Sequence, residues 1–296
     1  MNERIFVTGA CGFIGRHLVY EAVKEGYDVS GLAHCDREVP DARITVGDIR
    51  DAETVEKASA GCDYFIHLAA VTSNVEFERR TDYSFDVNIG GFRTAINAAL
   101  KNRCRRFIFA SSAAIYLDSF SEKSIIPFDA QRNHYAKTKM VNEMVGRSYG
   151  DVFGMKVLGL RFFNVYGPGE NEKGNYASIM SQFIRCSREG RKLVIYGDGS
   201  QERDFVHVRD VARITLKLSS SEHTGVVNVG TGRTISYRKI ADIIDRDNQE
   251  FVPNPLSSYQ MLTRADTALL KSIIGGYEFI RVEDGIRMLM DGGVQG

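Results

Sequence analysis

"RIFVTGACGFIG", residues 4–15, decides how the rest of the chain is read. Its first residues form a short apolar run rich in β-branched and aromatic side chains, which predicts a strand. Gly9, Gly12 and Gly15 follow at three-residue intervals, and residues 14–26, "IGRHLVYEAVKEG", carry helical spacing with a glycine stop. A strand that turns through glycines into a helix lets a pyrophosphate approach the backbone N–H groups at the helix start. Glycine-rich turns are common, so the context carries the reading: an opening strand before the turn and an amphipathic helix after it. The stretch predicts a dinucleotide site at the start of the chain.

The alternation continues downstream. Strands are expected at 27–33, 42–48, 62–70, 106–112 and 156–167, and helices at 51–61, at 90–103 and around Tyr135. Strands this apolar are buried on both faces, as in a parallel sheet covered by helices. The fold class is therefore α/β, a doubly wound parallel sheet with right-handed crossovers. After Gly167 the pattern loosens into a polar loop at 167–178 and a helix at 179–190. Residues 204–220 and 225–232 look like a return to the main sheet, and a small mixed region starts near Ser236. This assigns residues 1–165 and about 190–235 to a dinucleotide-binding domain. About 166–189 and 236–296 form a smaller mixed α/β substrate lobe, with the site in the cleft between them.

Composition limits the partners. The chain has 296 residues, 43% hydrophobic and 26% charged, as in a soluble globular protein. Lys+Arg 38 balances Asp+Glu 38, so no global field draws it to nucleic acid or an anionic membrane. Cys11, Cys35, Cys62, Cys104 and Cys186 are scattered, with no CxxC pair. That argues against a disulfide framework or a metal site and for a reducing compartment. No signal-peptide pattern and no apolar run of membrane-spanning length are seen, so a cytoplasmic location is expected.

"NHYAKTKMVNE", residues 133–143, places Tyr135 and Lys139 one helical turn apart. The spacing alone means only that a ring and an ammonium share a helix face. Other segments add to it: "TGACGFIG" at 8–15, "GDIRD" at 47–51, "HLAA" at 67–70, "NIGG" at 88–91, "FASSAAIY" at 109–116, "RFFNVYGPG" at 161–169 and "GDGSQERDFVHVRDVA" at 197–212. In this order and at these intervals they resemble the extended short-chain dehydrogenase/reductase family, in its NAD(P)-dependent nucleotide-sugar epimerase/dehydratase branch. The likeness extends over nearly the whole chain and leans toward UDP-glucose 4-epimerases.

The resemblance implies a Rossmann domain holding NAD, with NADP as the other possibility. The cofactor contacts it implies are Gly9, Gly12, Phe13, Ile14 and Gly15 in the loop, His34 after the second strand, and Asp48 and Ile49. Leu68, Ala69, Ala70, Asn88, Phe162, Tyr135 and Lys139 complete them. The catalytic group is Ser112, in preference to Ser111, with Tyr135 and Lys139. Tyr135 would remove a proton from a sugar hydroxyl while hydride leaves the same carbon, Lys139 lowering the phenol's pKa. Substrate contacts implied are Ser112, Asn164, Lys173, Tyr176, Tyr196, Arg203 and Tyr259.

Ala113-Ala114 stand where related dehydratases carry an Asp-Glu pair, which favours epimerisation at C4 of a UDP-hexose. The other readings are an ADP-glyceromanno-heptose 6-epimerase, with Lys173 as a second catalytic group, and a nucleotide-sugar 4-ketoreductase. From another class comes a non-catalytic NAD(P)-sensing scaffold, against which stands the presence of both Tyr135 and Lys139. Ala33 occupies the position of the acidic residue typical of NAD users, and His34, Asp36 and Arg37 follow it, so NAD and NADP both stay open. The family also implies a homodimer through the helices near 90–103 and 134–149.

Overall fold

Ile5, Phe6 and Val7 are wholly buried, so the first strand lies inside the protein with both faces covered. The structure, a computed structural model, describes residues 2–37, 39–117, 120–170, 177–254 and 260–292. In chain order come β1 (Arg4–Thr8), α1 (Phe13–Lys24), β2 (Asp28–Ala33), β3 (Arg43–Val46), α2 (Ala52–Ala58) and β4 (Tyr64–His67). Next are α3 (Asn74–Arg79), α4 (Thr81–Phe85), α5 (Gly91–Lys101), β5 (Arg106–Ser112), α6 (His134–Phe153), β6 (Val157–Phe162) and β7 (Asn164–Tyr166). Then follow α7 (Ile179–Arg188), β8 (Leu193–Tyr196), β9 (Glu202–Arg203), β10 (Phe205–His207), α8 (Val208–Ser219) and β11 (Gly225–Val229). The chain closes with β12 (Ile235–Ser236), α9 (Tyr237–Ile244), β13 (Gln249–Val252), β14 (Leu262–Thr263), α10 (Ala268–Ile274) and α11 (Val282–Met290).

Seven strands form one sheet in the order β11-β6-β5-β4-β1-β2-β3, every pair parallel. The strand order runs outward in both directions from β1 and β4, which leaves a crevice at their carboxyl ends. The period of two along β1 sorts the core. Ile5 and Val7 pack with Leu18 of α1, Ile214 of α8 and Leu270 of α10 on one face. Phe6 packs with Phe65, Phe107, Phe92 and Ile96 on the other.

A second core joins Tyr166, Phe183, Ile184, Leu193, Ile195, Phe205, Ile240 and Ile286. Its strands are short: β8 pairs with β13, β9 lies between β12 and β14, and β7 pairs with β10. Within the stretch 190–235, α8 and β11 lie on the main sheet, β8 lies on this second core, and β10 is shared, Phe205 joining the second core and Val206 the first. Fully buried Asp204 ties the strands and loops here. Its carboxylate accepts from Thr231 N (2.9 Å), Thr231 Oγ1 (2.7 Å), Gly232 N (2.8 Å) and Ala265 N (3.1 Å).

The structure differs from the sequence expectation at three places. The strand expected over 156–167 is two strands. Phe163 N still donates to Val229 O of the main sheet (3.1 Å), while Asn164 N donates to Asp204 O (3.1 Å), so the chain changes sheets across one residue. Phe205–His207 pairs with β7 and not with the main sheet. Residues 74–89, read as no element, form α3, α4 and most of a π-helical turn at Asp86–Gly90. Among the described residues no helix is long and apolar enough to cross a membrane.

Two buried histidines make stability depend on pH. Burial pushes both His67 and His207 down to about 3. Each is neutral when folded and takes up a proton near pH ~6.5 when unfolded, so stability is full above that pH and falls as the pH drops toward 3. Urea midpoints should fall from pH 7 to pH 5. In a His207→Gln variant the slope below about pH 6 should be shallower by about 1.4 kcal/mol per pH unit. Parallel curves for the two proteins would contradict this.

Candidate active site

The turn after β1 is built around absent side chains. Gly9 has φ +70, a region that L residues rarely adopt, and its N–H donates to Leu32 O at the end of β2 (2.8 Å). A Cβ on Gly9 would meet Ala69 N at 2.9 Å, and one on Gly15 would lie 2.0 Å from Gly9 O. The loop can therefore fold back on itself and against the end of β4. Beyond it opens a cleft of about 600 Å³, inside the roughly 300–1,000 Å³ range of small-molecule and cofactor sites.

All but one of the residues expected to hold the dinucleotide line this cleft. Gly9, Gly12, Phe13, Ile14 and Gly15 form its floor beside His34, Asp48 and Ile49, and Leu68, Ala69 and Ala70 run along it. Ser112, Tyr135, Lys139 and Phe162 close the other end. The arrangement fits a dinucleotide, because the glycine turn leaves its backbone uncovered where a pyrophosphate needs to approach. Asp48 is engaged by Arg50, whose Nη2 donates to it at 2.5 Å, and that contact holds the carboxyl below the usual range.

Asn88 is the exception. It is buried and does not line the cleft. Its Oδ1 accepts from Val71 N (2.8 Å) and its Nδ2 donates to Val71 O (2.9 Å) and Thr138 Oγ1 (3.1 Å). The amide thus ties the loop after β4 to α6, and the π turn aims it there. Residues not expected from sequence also line the cleft: Cys11, Cys35, Glu76, Arg80, Tyr83, Phe163 and Val165. Arg80 stacks 3.8 Å and Arg50 4.9 Å from the centre of the Tyr83 ring. The segment bearing Glu76, Arg80 and Tyr83 has no clear periodicity, so its placement there carried no sequence signal.

Helix α6 delivers Tyr135 and Lys139. Asn133 caps it, accepting from Ala136 N at 3.1 Å, and Tyr135 falls in its first turn. Tyr135 is half-buried and shares the cleft with Ser112; burial pushes its phenol up, and the neighbouring Ser112 hydroxyl opposes this. Lys139 is almost wholly buried, and burial brings it down to about 8, opposed by the charge of Glu143. Its Nζ donates to Ala110 O (2.8 Å) and lies 5.5 Å from the centre of the Tyr135 ring. In this arrangement burial dominates the shift of the phenol, with the Lys139 ammonium turned onto Ala110 O. The two serines differ. Ser111 Oγ donates to Glu143 Oε1 (2.5 Å), whereas Ser112 is the serine that acts on the Tyr135 phenol, favouring its ionised form.

Of the other residues expected to hold substrate besides Ser112, the described ones are Asn164, Arg203 and Tyr196. Asn164 Nδ2 donates to Asp204 O (3.0 Å), which brings it beside the strand of Arg203. Arg203 is buried, donates from Nη1 to Glu202 O (2.8 Å) and sits 5.5 Å over the Tyr237 ring. Tyr196 is exposed at the end of β8. None of these three lines the cleft described above. Lys173, Tyr176 and Tyr259 lie outside the described residues.

A match to the NAD dependent epimerase/dehydratase family runs through residues 5–230. The chain belongs to that family. A protein named ADP-L-glycero-D-manno-heptose-6-epimerase, from Alkalilimnicola ehrlichii, is 32% identical over 97% of this chain and 96% of its own. Among solved structures, a UDP-N-acetylglucosamine 4-epimerase from Methanobrevibacter ruminantium M1, in complex with UDP-N-acetylmuramic acid, superposes with a TM-score of 0.88. It is 25% identical and covers 98% of this chain and 99% of its own. MoeE5 in complex with UDP-glucose and NAD superposes with a TM-score of 0.86 at 26% identity, covering 97% of each chain. Like other family members, this one is an NAD-dependent enzyme.

Replacing Gly15 with alanine tests the turn. The added methyl would meet backbone, which cannot swing aside. NAD affinity, measured by calorimetry, should fall about ten- to a hundredfold, with the circular dichroism of the fold kept. Unchanged affinity would contradict the close approach.

Proposed function

We propose that this protein is a nucleotide-sugar epimerase that inverts C4 of a UDP-hexose through a transient 4-keto sugar. The observation that carries the reading is the meeting of Ser112, Tyr135 and Lys139 at the end of the cleft lined by the glycine turn. NAD held by the glycine turn, with Lys139 beside its nicotinamide end, would supply the reversible hydride acceptor at the sugar carbon. Tyr135 takes the hydroxyl proton as the carbonyl forms and gives it back as the carbonyl is reduced. Ser112 holds both the sugar oxygen and the phenol, so the proton has a short fixed path. Burial disfavours the phenolate, and the Lys139 ammonium at 5.5 Å is the side-chain charge that favours it when the proton moves.

Ala113 and Ala114 follow Ser112 with no acid or base to expel a neighbouring hydroxyl, which supports epimerisation over dehydration. Asn164 and Arg203, on the side of the second core, are the groups we assign to the substrate diphosphate, a task suited to a planar guanidinium. Ala33 at the end of β2 leaves NADP as an alternative cofactor. A second reading, a heptose 6-epimerase acting on an ADP-sugar, is favoured by the likeness to the Alkalilimnicola ehrlichii protein along 97% of the chain.

The test is incubation with UDP-glucose, UDP-N-acetylglucosamine and UDP-glucuronate, no cofactor added, followed by proton NMR. Appearance of a 4-epimer is the expected result. No conversion, with NAD and NADP each added in turn, would sink the UDP-hexose reading, and conversion of an ADP-heptose alone would establish the second. Tyr135→Phe should lower kcat by about 10²–10⁴ on the active substrate while the fold is kept.

A further inference from the structure

Behind the cleft lies a polar chain that no step of the chemistry above uses. Glu143 follows Lys139 by one turn of α6, as Lys139 follows Tyr135. Its Oε1 accepts from Ser111 Oγ (2.5 Å) and Arg161 Nε (2.9 Å), and its Oε2 from Arg161 Nη2 (2.7 Å). The pair is nearly sealed, with side-chain exposures of 7% for Arg161 and 14% for Glu143. Arg161 Nη1 donates to Tyr116 Oη (2.8 Å), and Tyr116 Oη donates to Asn228 Oδ1 (2.7 Å). Burial opposes the Arg161 charge, but Glu143 and Tyr116 outweigh it and hold the guanidinium charged.

The position of Ser111 gives this network its meaning. On one side of it, Ala110 O is the acceptor that holds Lys139 Nζ; on the other, Ser112 faces the cleft that Tyr135 also lines. Pinning Ser111 therefore fixes both neighbours at once. We propose that Glu143 is a positioning residue for proton transfer at Tyr135, acting on the end of β5 through Ser111 and on the Lys139 ammonium through its charge. This rests on the reading of Tyr135 and Lys139 given above.

The surroundings leave Glu143 as the group that sets the charge of Lys139. From α6 it faces Tyr135 and Glu143. From β4 it faces His67, which is neutral, and from β5 Ala110 O and the two serines. From β6, Arg161 stands beyond Glu143 and is bonded to it. Burial takes Lys139 down to about 8, and the Glu143 charge opposes a further fall. Without that charge the lysine would be mostly neutral near pH 8.

The experiment reads Lys139 directly in the NAD-loaded enzyme. Lysine side-chain NMR, with the Lys139 signal assigned by its loss in Lys139→Met, is followed against pH in the wild type, in Glu143→Gln and in Glu143→Asp. Glu143→Gln should move the Lys139 titration down by about one pH unit, and Glu143→Asp, which keeps the charge, should restore most of it. On the active nucleotide sugar, kcat of Glu143→Gln should fall about fivefold at pH 8 and stay unchanged at pH 6, with KM unaltered. A merely structural loss would scale kcat evenly across pH.

Glu143→Gln leaves Arg161 buried without its partner, so the double variant Glu143→Gln/Arg161→Met guards against failure to fold. The same downward shift is expected in it. An unmoved Lys139 titration in the folded variants overturns the proposal, whether or not a UDP-sugar is turned over. Absence of turnover in the wild type, with the titration shifted in the variants, would overturn only the substrate reading.

Discussion

The structure depends on a place where there is no room for a side chain. Gly15 lies so close to Gly9 that a single methyl would overlap the carbonyl oxygen of Gly9. That approach sets how sharply the chain turns from β1 into α1, and so where α1 lies on the sheet. Gly9 in turn lets the loop touch the end of β4 at Ala69, which brings the strand ends around one opening. The burial of β1 on both faces holds the turn in place, since the strand cannot shift without disturbing both cores.

A second constraint is the repeat of α6. Tyr135, Lys139 and Glu143 recur every fourth residue, so one stripe of the helix faces the end of β5. Along that stripe come a half-buried phenol and a buried ammonium in the cleft, then a carboxylate locked to Arg161 outside it. The ammonium and the carboxylate each have partners in the strands behind them, as burial demands.

Much of this was legible in the chain. Apolar runs of strand length alternating with amphipathic stretches specify a parallel sheet, because only burial on both faces tolerates such strands. The glycine turn and the Tyr135–Lys139 spacing were readable for the same reason: each is local, and its geometry follows from spacing. Contacts made across long distances in sequence were not. Asn88 was expected in the cleft and instead braces Val71 and Thr138, since a π turn directs its amide inward. The apolar run through Phe162 and Phe163 gives no sign that the chain changes sheets there. Nor does any pattern announce that Glu143 meets Ser111 and Arg161, which takes the packing of α6 on β5 and β6.

The crossing at Phe163 has a mechanical consequence. Phe162 is part of the cofactor cleft's wall, and Asn164 is bonded into the strands around Asp204. One intervening residue offers two soft dihedrals, too few to act as a hinge between bodies gripped on either side. The main sheet and the strands around Asp204 are therefore joined tightly at this point. On the proposed reading, residues on the far side of the site can change without displacing the end of the cleft at Tyr135. A scaffold of this kind can acquire new sugars while keeping its chemistry.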